Sequence, residues 1–337
     1  MRASVLSGLK RRLIFYASVL VLPSAALFYA TSMPGKSYSG TLPPTTPELR
    51  ELAVRLRRDV TMLAGTIGSR SLERKENLDA ARAFLVARLM PLESASRKLQ
   101  FEQVVADGAH AENVIFEVAG NEYPSIVLVG AHYDSVATGP GANDNGSGVA
   151  VTLELASRFA NAPAPSNVRF VFFVNEEPPH FQRPGMGSWV DADNARKRQD
   201  RIRAMLSLET IGCFNDQAGS QHYPFPIGLL YPSRGNFLAF VGDLGARSLV
   251  RTAIAAFRSA EPFPSEGAAL PAAFPGVDWS DHWSFRRAGY PAIMLTDTAV
   301  YRDPNYHQPS DRPEALSYDS LARVTRGIEA IVRTLAR

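Results

Sequence analysis

Residues 168–177 read Val168-Arg169-Phe170-Val171-Phe172-Phe173-Val174-Asn175-Glu176-Glu177, a nearly unbroken apolar run that stops on two adjacent acids. A run this short, rich in β-branched and aromatic side chains and without polar alternation, predicts a strand buried on both faces. Such a strand needs helices on either side, and the neighbouring segments supply them. Gly146–Phe159 predicts a helix just before it, while Leu49–Leu63 and Leu72–Met90 carry apolar residues at helical spacing. Leu99–Val105, Asn113–Val118 and Ser125–Val129 predict strands, with Gly120-Asn121 as the turn of an early hairpin. Further strands are expected at Ala204–Leu208, Ile227–Tyr231 and Pro291–Leu295, and helices at Gly235–Arg258 and Tyr318–Ala336. The pattern is that of an α/β fold, a mixed, mostly parallel central β-sheet flanked by helices on both faces, built as one domain over residues 48–337.

Ahead of that domain, Arg2, Lys10, Arg11 and Arg12 precede an uncharged run from Leu13 to Ala30. As a helix, 18 residues would extend about 27 Å, close to the thickness of a hydrocarbon core. Residues 1–32 therefore read as a membrane anchor or, because Ala30-Thr31-Ser32 offers small residues, as a cleaved signal peptide. In both readings the cationic flank stays in the cytoplasm, which puts the domain on the outer side of a bacterial-type inner membrane, anchored or released to the periplasm. Residues 33–47, rich in Pro, Gly, Ser and Thr, read as a linker.

The chain carries a net charge of +3, and removing those four N-terminal cations leaves the rest near −1 (3 − 4). That balance argues against a nucleic-acid partner, whose recognition needs a basic surface intrinsic to the fold. A single cysteine, Cys213, excludes an internal disulfide and a cysteine-rich zinc site. No feature of the sequence sets an oligomeric state.

In open α/β sheets, ligands gather outside the carboxyl ends of the strands. Here the strand at Val127–Gly130 leads into His132 and Asp134, Val168–Val174 into Glu176 and Glu177, and Met205–Leu208 into Glu209. Three strands thus deliver acid or imidazole to one edge. His132 and Asp134 lie two apart, so in extended chain the carboxylate can orient the imidazole. Glu176-Glu177 must be desolvated together, and with a cation nearby one can ligate while the other serves as general base. Asn143-Asp144-Asn145-Gly146 is a tight turn opening a helix, where backbone N–H groups favour a carboxylate. Tyr306-His307 follows the strand at Pro291–Leu295, and Ser280-Asp281-His282 stands before a short helix, with the role of His282 open.

These motifs, Ala131-His132-Tyr133-Asp134-Ser135, Gly141 to Gly148, Asn175-Glu176-Glu177, Ser280-Asp281-His282 and Tyr306-His307, resemble those of the aminopeptidase S and aminopeptidase Y family of dinuclear zinc peptidases. The resemblance runs from about Thr46 to the C-terminus. It implies a peptide substrate and two zinc ions per chain, with His132 and Glu209 on one ion, Glu177 and His307 on the other, and Asp144 bridging. It also implies Glu176 as base, Asp134 as support for His132, and Tyr306 as hydrogen-bond donor to the oxyanion. Glu209 replaces the more common Asp, and Pro178-Pro179-His180 replaces a shorter glycine-containing turn. Aminopeptidase rather than carboxypeptidase activity is expected on family frequency alone. Two other functions share the architecture: a glutaminyl cyclase-like enzyme and a catalytically silent ectodomain, the latter expected to have lost ligands.

Overall fold

A computed structural model of the protein describes residue 21 and residues 23–337. The apolar segment 13–30 falls partly outside them. Among the described residues no helix is long and apolar enough to cross a membrane.

The core is an eight-stranded sheet of β1 (Arg97–Ala106), β2 (Ala109–Val118), β3 (Tyr123–His132), β4 (Ser166–Phe173), β5 (Ile202–Glu209), β8 (Leu238–Asp243), β9 (Ser265–Leu270) and β10 (Ala292–Thr296). Its order is β1-β2-β4-β3-β5-β10-β8-β9, with β6 (Asn215–Ala218) and β7 (Arg234–Gly235) in a separate ribbon. The β4-β3-β5-β10 centre is parallel, and β8-β9 is a second parallel pair. The β4 run that opened the sequence reading is the first of the four parallel strands and pairs antiparallel with β2 on its other side: Phe170 and Phe172 enter one apolar core, Val171 and Phe173 the other. This two-sided burial explains why the strand shows no polar alternation.

The larger core lies under α1 (Pro47–Val60), α2 (Lys75–Leu89), α3 (Gly148–Asn161), α5 (Arg247–Ala260) and α7 (Tyr318–Leu335). The smaller lies under α4 (Gly187–Arg198) and α6 (His282–Arg287). Thr46 caps α1 by accepting from the Leu49 N–H, and Pro47 occupies the first turn, where its missing donor costs nothing.

Three expectations are corrected. The early hairpin joins β1 to β2 through Asp107-Gly108, both at positive φ, whereas β4 separates β2 from β3. Ile227–Tyr231 is not a strand: prolines at 224, 226 and 232 flank it, and it forms a 3₁₀ turn at Ile227–Leu229. Gly235–Arg258 is not one helix, because Leu238–Asp243 is a strand inserted between β10 and β9. A short apolar run punctuated by Gly242 and Gly245 has no period that separates helix from buried strand. Helix α4 and strand β9 stand where the sequence pattern predicts no element.

Residues 23–31 are helical, and residues 36–46 have no regular secondary structure, with a bend at Gly40. This whole N-terminal portion lies on the domain, because α5 holds it by arginine donors to its carbonyls: Arg247 Nε to Tyr29 O (2.7 Å), Arg251 to Ser32 O, and Arg258 Nη1 to Pro34 O (2.9 Å). Ser37 Oγ accepts from the Ser265 N–H of edge strand β9, and Tyr231 donates to Gly267 O of the same strand.

Phe240 of β8 is fully buried and packs edge-on against Phe257 of α5. Phe240→Ala is expected to lower stability by about 3–5 kcal/mol in urea unfolding. A loss under about 1 kcal/mol would place β8 outside the core.

Candidate metal centre

β3, β4 and β5 run parallel in register, with Gly130 of β3 between Val171 and Ser207, so their carboxyl ends meet at one rim. His132 is the last residue of β3, Glu176 and Glu177 follow β4, and Glu209 ends β5. Asp144 arrives from the turn before α3, and His307 from the loop after β10. Three residues beside or among these are held at positive φ: Asn175 at 59°, Thr210 at 42° and His307 at 60°. Non-glycine residues pay roughly 1–3 kcal/mol for such a backbone, which persists where the surroundings over-determine it.

The side chains converge. His132 Nε2 lies 3.3 Å from Asp144 Oδ1, 3.4 Å from Glu209 Oε2 and 3.8 Å from Glu176 Oε2. His307 Nε2 lies 3.1 Å from Asp144 Oδ2 and 3.1 Å from Glu177 Oε2. Asp144 therefore presents one oxygen to each imidazole. Donor atoms of His132, Glu176 and Glu209, and of His132, Asp144 and Glu177, fall within 4.8 Å of one another. Both nitrogens of His132, Asp144 Oδ1, Glu177 Oε1 and His307 Nε2 are buried without a hydrogen-bond partner. Orphaned donors of this kind, all imidazole or carboxylate, fit a divalent cation of the zinc type.

A second layer of groups fixes these ligands. Asp134 accepts the Glu176 N–H on one oxygen (3.2 Å) and the Glu177 N–H on the other (3.1 Å), while sitting 3.5 Å from His132 Nδ1. Its tightest hold is thus on the acidic pair rather than on the imidazole. Asp311 does the same for the turn, accepting from Asn143 N (2.8 Å) and Asp144 N (3.1 Å). Ser280 donates to Glu209 Oε2 at 2.7 Å, which pins the longer glutamate. Gly141 is at φ +64°, and a Cβ there would meet Asp144 O at 2.3 Å, so only glycine lets the turn close.

Arg70, fully buried, donates to five carbonyls: Tyr133, Leu63, Gly68, Pro140 and Gly141. It touches no carboxylate, yet lies in the field of Asp134, Asp311, Asp144 and Glu177. Nothing in the local sequence marks Arg70 or Asp311, because their partners are backbone atoms far along the chain. His282 resolves as structural: burial drives its pKa down to about 4, and Nε2 meets Val277 O at 2.7 Å. His110, His180 and His222 take no part. Cys213 is half-buried just past β5, with burial pushing its thiol up.

The electrostatics are those of crowded anions. Burial, with Asp144 beside it, raises Glu177 to about 7, and burial raises Glu176 well above the carboxylate range against the pull of His132. Burial alone would keep His132 neutral, but Glu176, Glu209, Asp134 and Asp144 push it well up; Asp144 and Glu177 likewise carry half-buried His307 to about 10. Asp144, despite burial, is held low by the two imidazoles. Bound divalent cations reverse this field.

Two outcomes follow. Groups with raised native pKa bind protons more tightly folded than unfolded, so their contribution is complete at low pH and fades as pH rises through the native value. The metal-free protein should lose thermal stability as Glu177, Asp281 and Asp311 ionise, each pushed up to about 7. Added zinc should restore it, by about 2.7 kcal/mol at a hundredfold excess over Kd, and scanning calorimetry across that pH range reads both. Asp144→Ala should abolish tight metal uptake measured by elemental analysis, and an unchanged metal content would remove Asp144 from the centre.

Residues 113–332 match the model of "Peptidase family M28". The chain is 33% identical over 294 residues to the uncharacterized protein YfbL of Escherichia coli, covering 85% of this chain and 88% of that protein. It is 31% identical over 236 residues to the probable lipoprotein aminopeptidase LpqL of Mycobacterium tuberculosis, covering 65% of this chain but 43% of that one. LapB of Legionella pneumophila has the same fold, with a TM-score of 0.69 at 16% identity over 93% of this chain and 81% of LapB. With the matched span covering every ligand candidate, the chain belongs to peptidase family M28.

Proposed function

We propose that the protein is an aminopeptidase that works with two zinc ions, His132 and Glu209 on one, Glu177 and His307 on the other, and Asp144 shared. The observation that carries this reading is the placement of Asp144, one oxygen 3.3 Å from His132 and the other 3.1 Å from His307. Two such ions supply polarisation of a peptide carbonyl and a water acidified toward a pKa of roughly 7.

Glu176 is the acid left over. It is the farthest of the three carboxylates from His132 Nε2, at 3.8 Å, and unlike Glu209 it has no serine holding its carboxylate. Its basicity is raised by burial, which suits a group that takes the proton of the attacking water and delivers it to the departing amine. Tyr306 stacks on His307 with ring centroids 3.9 Å apart, and burial among Asp144, Glu209, Glu177 and Glu176 keeps its hydroxyl protonated. It is thereby available as a donor to the carbonyl oxygen as charge develops there.

Beside Glu209 and Tyr306 lies an apolar cavity of about 120 Å³, walled by Phe237, Met294 and Trp279 among others. Its lining includes Glu209 and Glu266 but no arginine or lysine. A terminal carboxylate would find no arginine or lysine there to pair with, while the apolar walls suit an uncharged side chain; this favours cleavage from the amino end, after an apolar residue. Every ligand position is filled, which the silent-ectodomain reading does not expect.

Free-amine and N-blocked peptides, each with an apolar or a charged first residue, test the reading on purified protein with and without chelator. Hydrolysis should require a free amine, favour the apolar residue and stop on chelation. Glu176→Gln should keep its metal and lose activity by about 10²–10⁴-fold. Near-normal turnover in that variant would end the assignment of Glu176 as base.

A further inference from the structure

The three most exposed large apolar side chains among the described residues are Phe225 (86%), Leu229 (78%) and Phe28 (73%). Two of them project from the loop between β6 and β7, and the third from the helical segment 23–31. These two pieces, some two hundred residues apart, belong to one small core in which Ala30 and Ile227 are buried and Leu27, Tyr223 and Tyr231 pack. The loop turns its side chains two ways. Tyr223, Ile227 and Tyr231 face the cavity, while Phe225, Leu229 and half-exposed Leu230 face out. Tyr29, next to Phe28, is exposed too, with Arg247 stacked 3.8 Å over its ring.

An exposed apolar surface of this kind marks an interaction site. Its occupant follows from the chain that leads into it. Residues 13–22 are uncharged and apolar, continue directly into the docked segment, and are preceded by Lys10, Arg11 and Arg12. Aromatic and leucine side chains beside such a run suit the headgroup boundary of a bilayer. The attachment is stiff as well, because the α5 arginines grip the carbonyls of Tyr29, Ser32 and Pro34. Ala30, one of the small residues of the would-be cleavage site, is itself 4% exposed and part of the fold.

We propose that segment 23–31 is retained and that, together with the loop carrying Phe225, Leu229 and Leu230, it forms a lipid-binding platform that seats the domain on the membrane in one fixed orientation. The loop tip then lies roughly 5–10 Å into the headgroup and acyl boundary. Edge strand β1, across the full width of the sheet from β9, points away.

The test uses the full chain in vesicles of phosphatidylcholine and phosphatidylglycerol. Single cysteines replace Phe225, Leu229 or, as control on β1, Val105, in a Cys213→Ser background, and each carries an environment-sensitive fluorophore. Labels at 225 and 229 should emit at shorter wavelength and be quenched severalfold more by doxyl-labelled lipid than the label at 105. Equal quenching at all three positions would overturn the proposal. A spectral shift that lipid quenchers leave untouched but that grows with protein-to-lipid ratio would assign the surface to a second copy and overturn it too. So would an intact mass of the membrane-extracted chain that begins after residue 32.

Discussion

Buried like charges that cannot separate set the terms for this molecule. Asp144, Glu176, Glu177 and Glu209 are each at most 6% exposed, and all four approach the imidazoles of His132 or His307 to within 3.8 Å. Two imidazoles cannot neutralise that set, and among the described residues no lysine or arginine donates to it. Such an arrangement is costly unless cations complete it. The fold around it consists largely of devices that keep the acids from relaxing apart.

Those devices act on the main chain more than on the ligands. Asp134 and Asp311 each spend both oxygens on consecutive N–H groups, and so fix the two backbones that carry the acids. Arg70 spends its whole guanidinium on carbonyls from four separate places between residues 63 and 141. A buried arginine paired directly with a carboxylate would have competed with the metal for it. By bonding to carbonyls it contributes positive field at no cost in ligands.

The central sheet and its acid-bearing rim were legible because their signals are local. A run such as Val168–Val174 has one structural solution, and an acid at the end of each buried strand has few. The two strands beyond β10 carry no such local signal. Leu238–Asp243 and Ser265–Leu270 are short strands whose identity depends on which neighbours they meet, and Ile227–Tyr231 has strand-like composition overruled by its prolines. Asp311 and Arg70 escaped for a related reason, since a side chain that bonds to distant backbone leaves no pattern in its own neighbourhood. His282 sits in a motif beside Ser280, which donates to Glu209, and its carbonyl partner Val277 separates it from the candidate centre.

Strand β9 ends the sheet on one side, and an unpaired strand border is a template on which another chain can assemble. Here three of its backbone groups are already taken, the Ser265 N–H by Ser37, the Ser265 carbonyl by Arg258 and the Gly267 carbonyl by Tyr231, while Met33 lies against Gly267. Through Ser37 and Met33 the N-terminal segment thus doubles as part of a guard against intermolecular strand addition. Trimming it away to obtain a tidier catalytic fragment would bare that border, and aggregation of such a fragment would report a lost cover rather than a misfolded core.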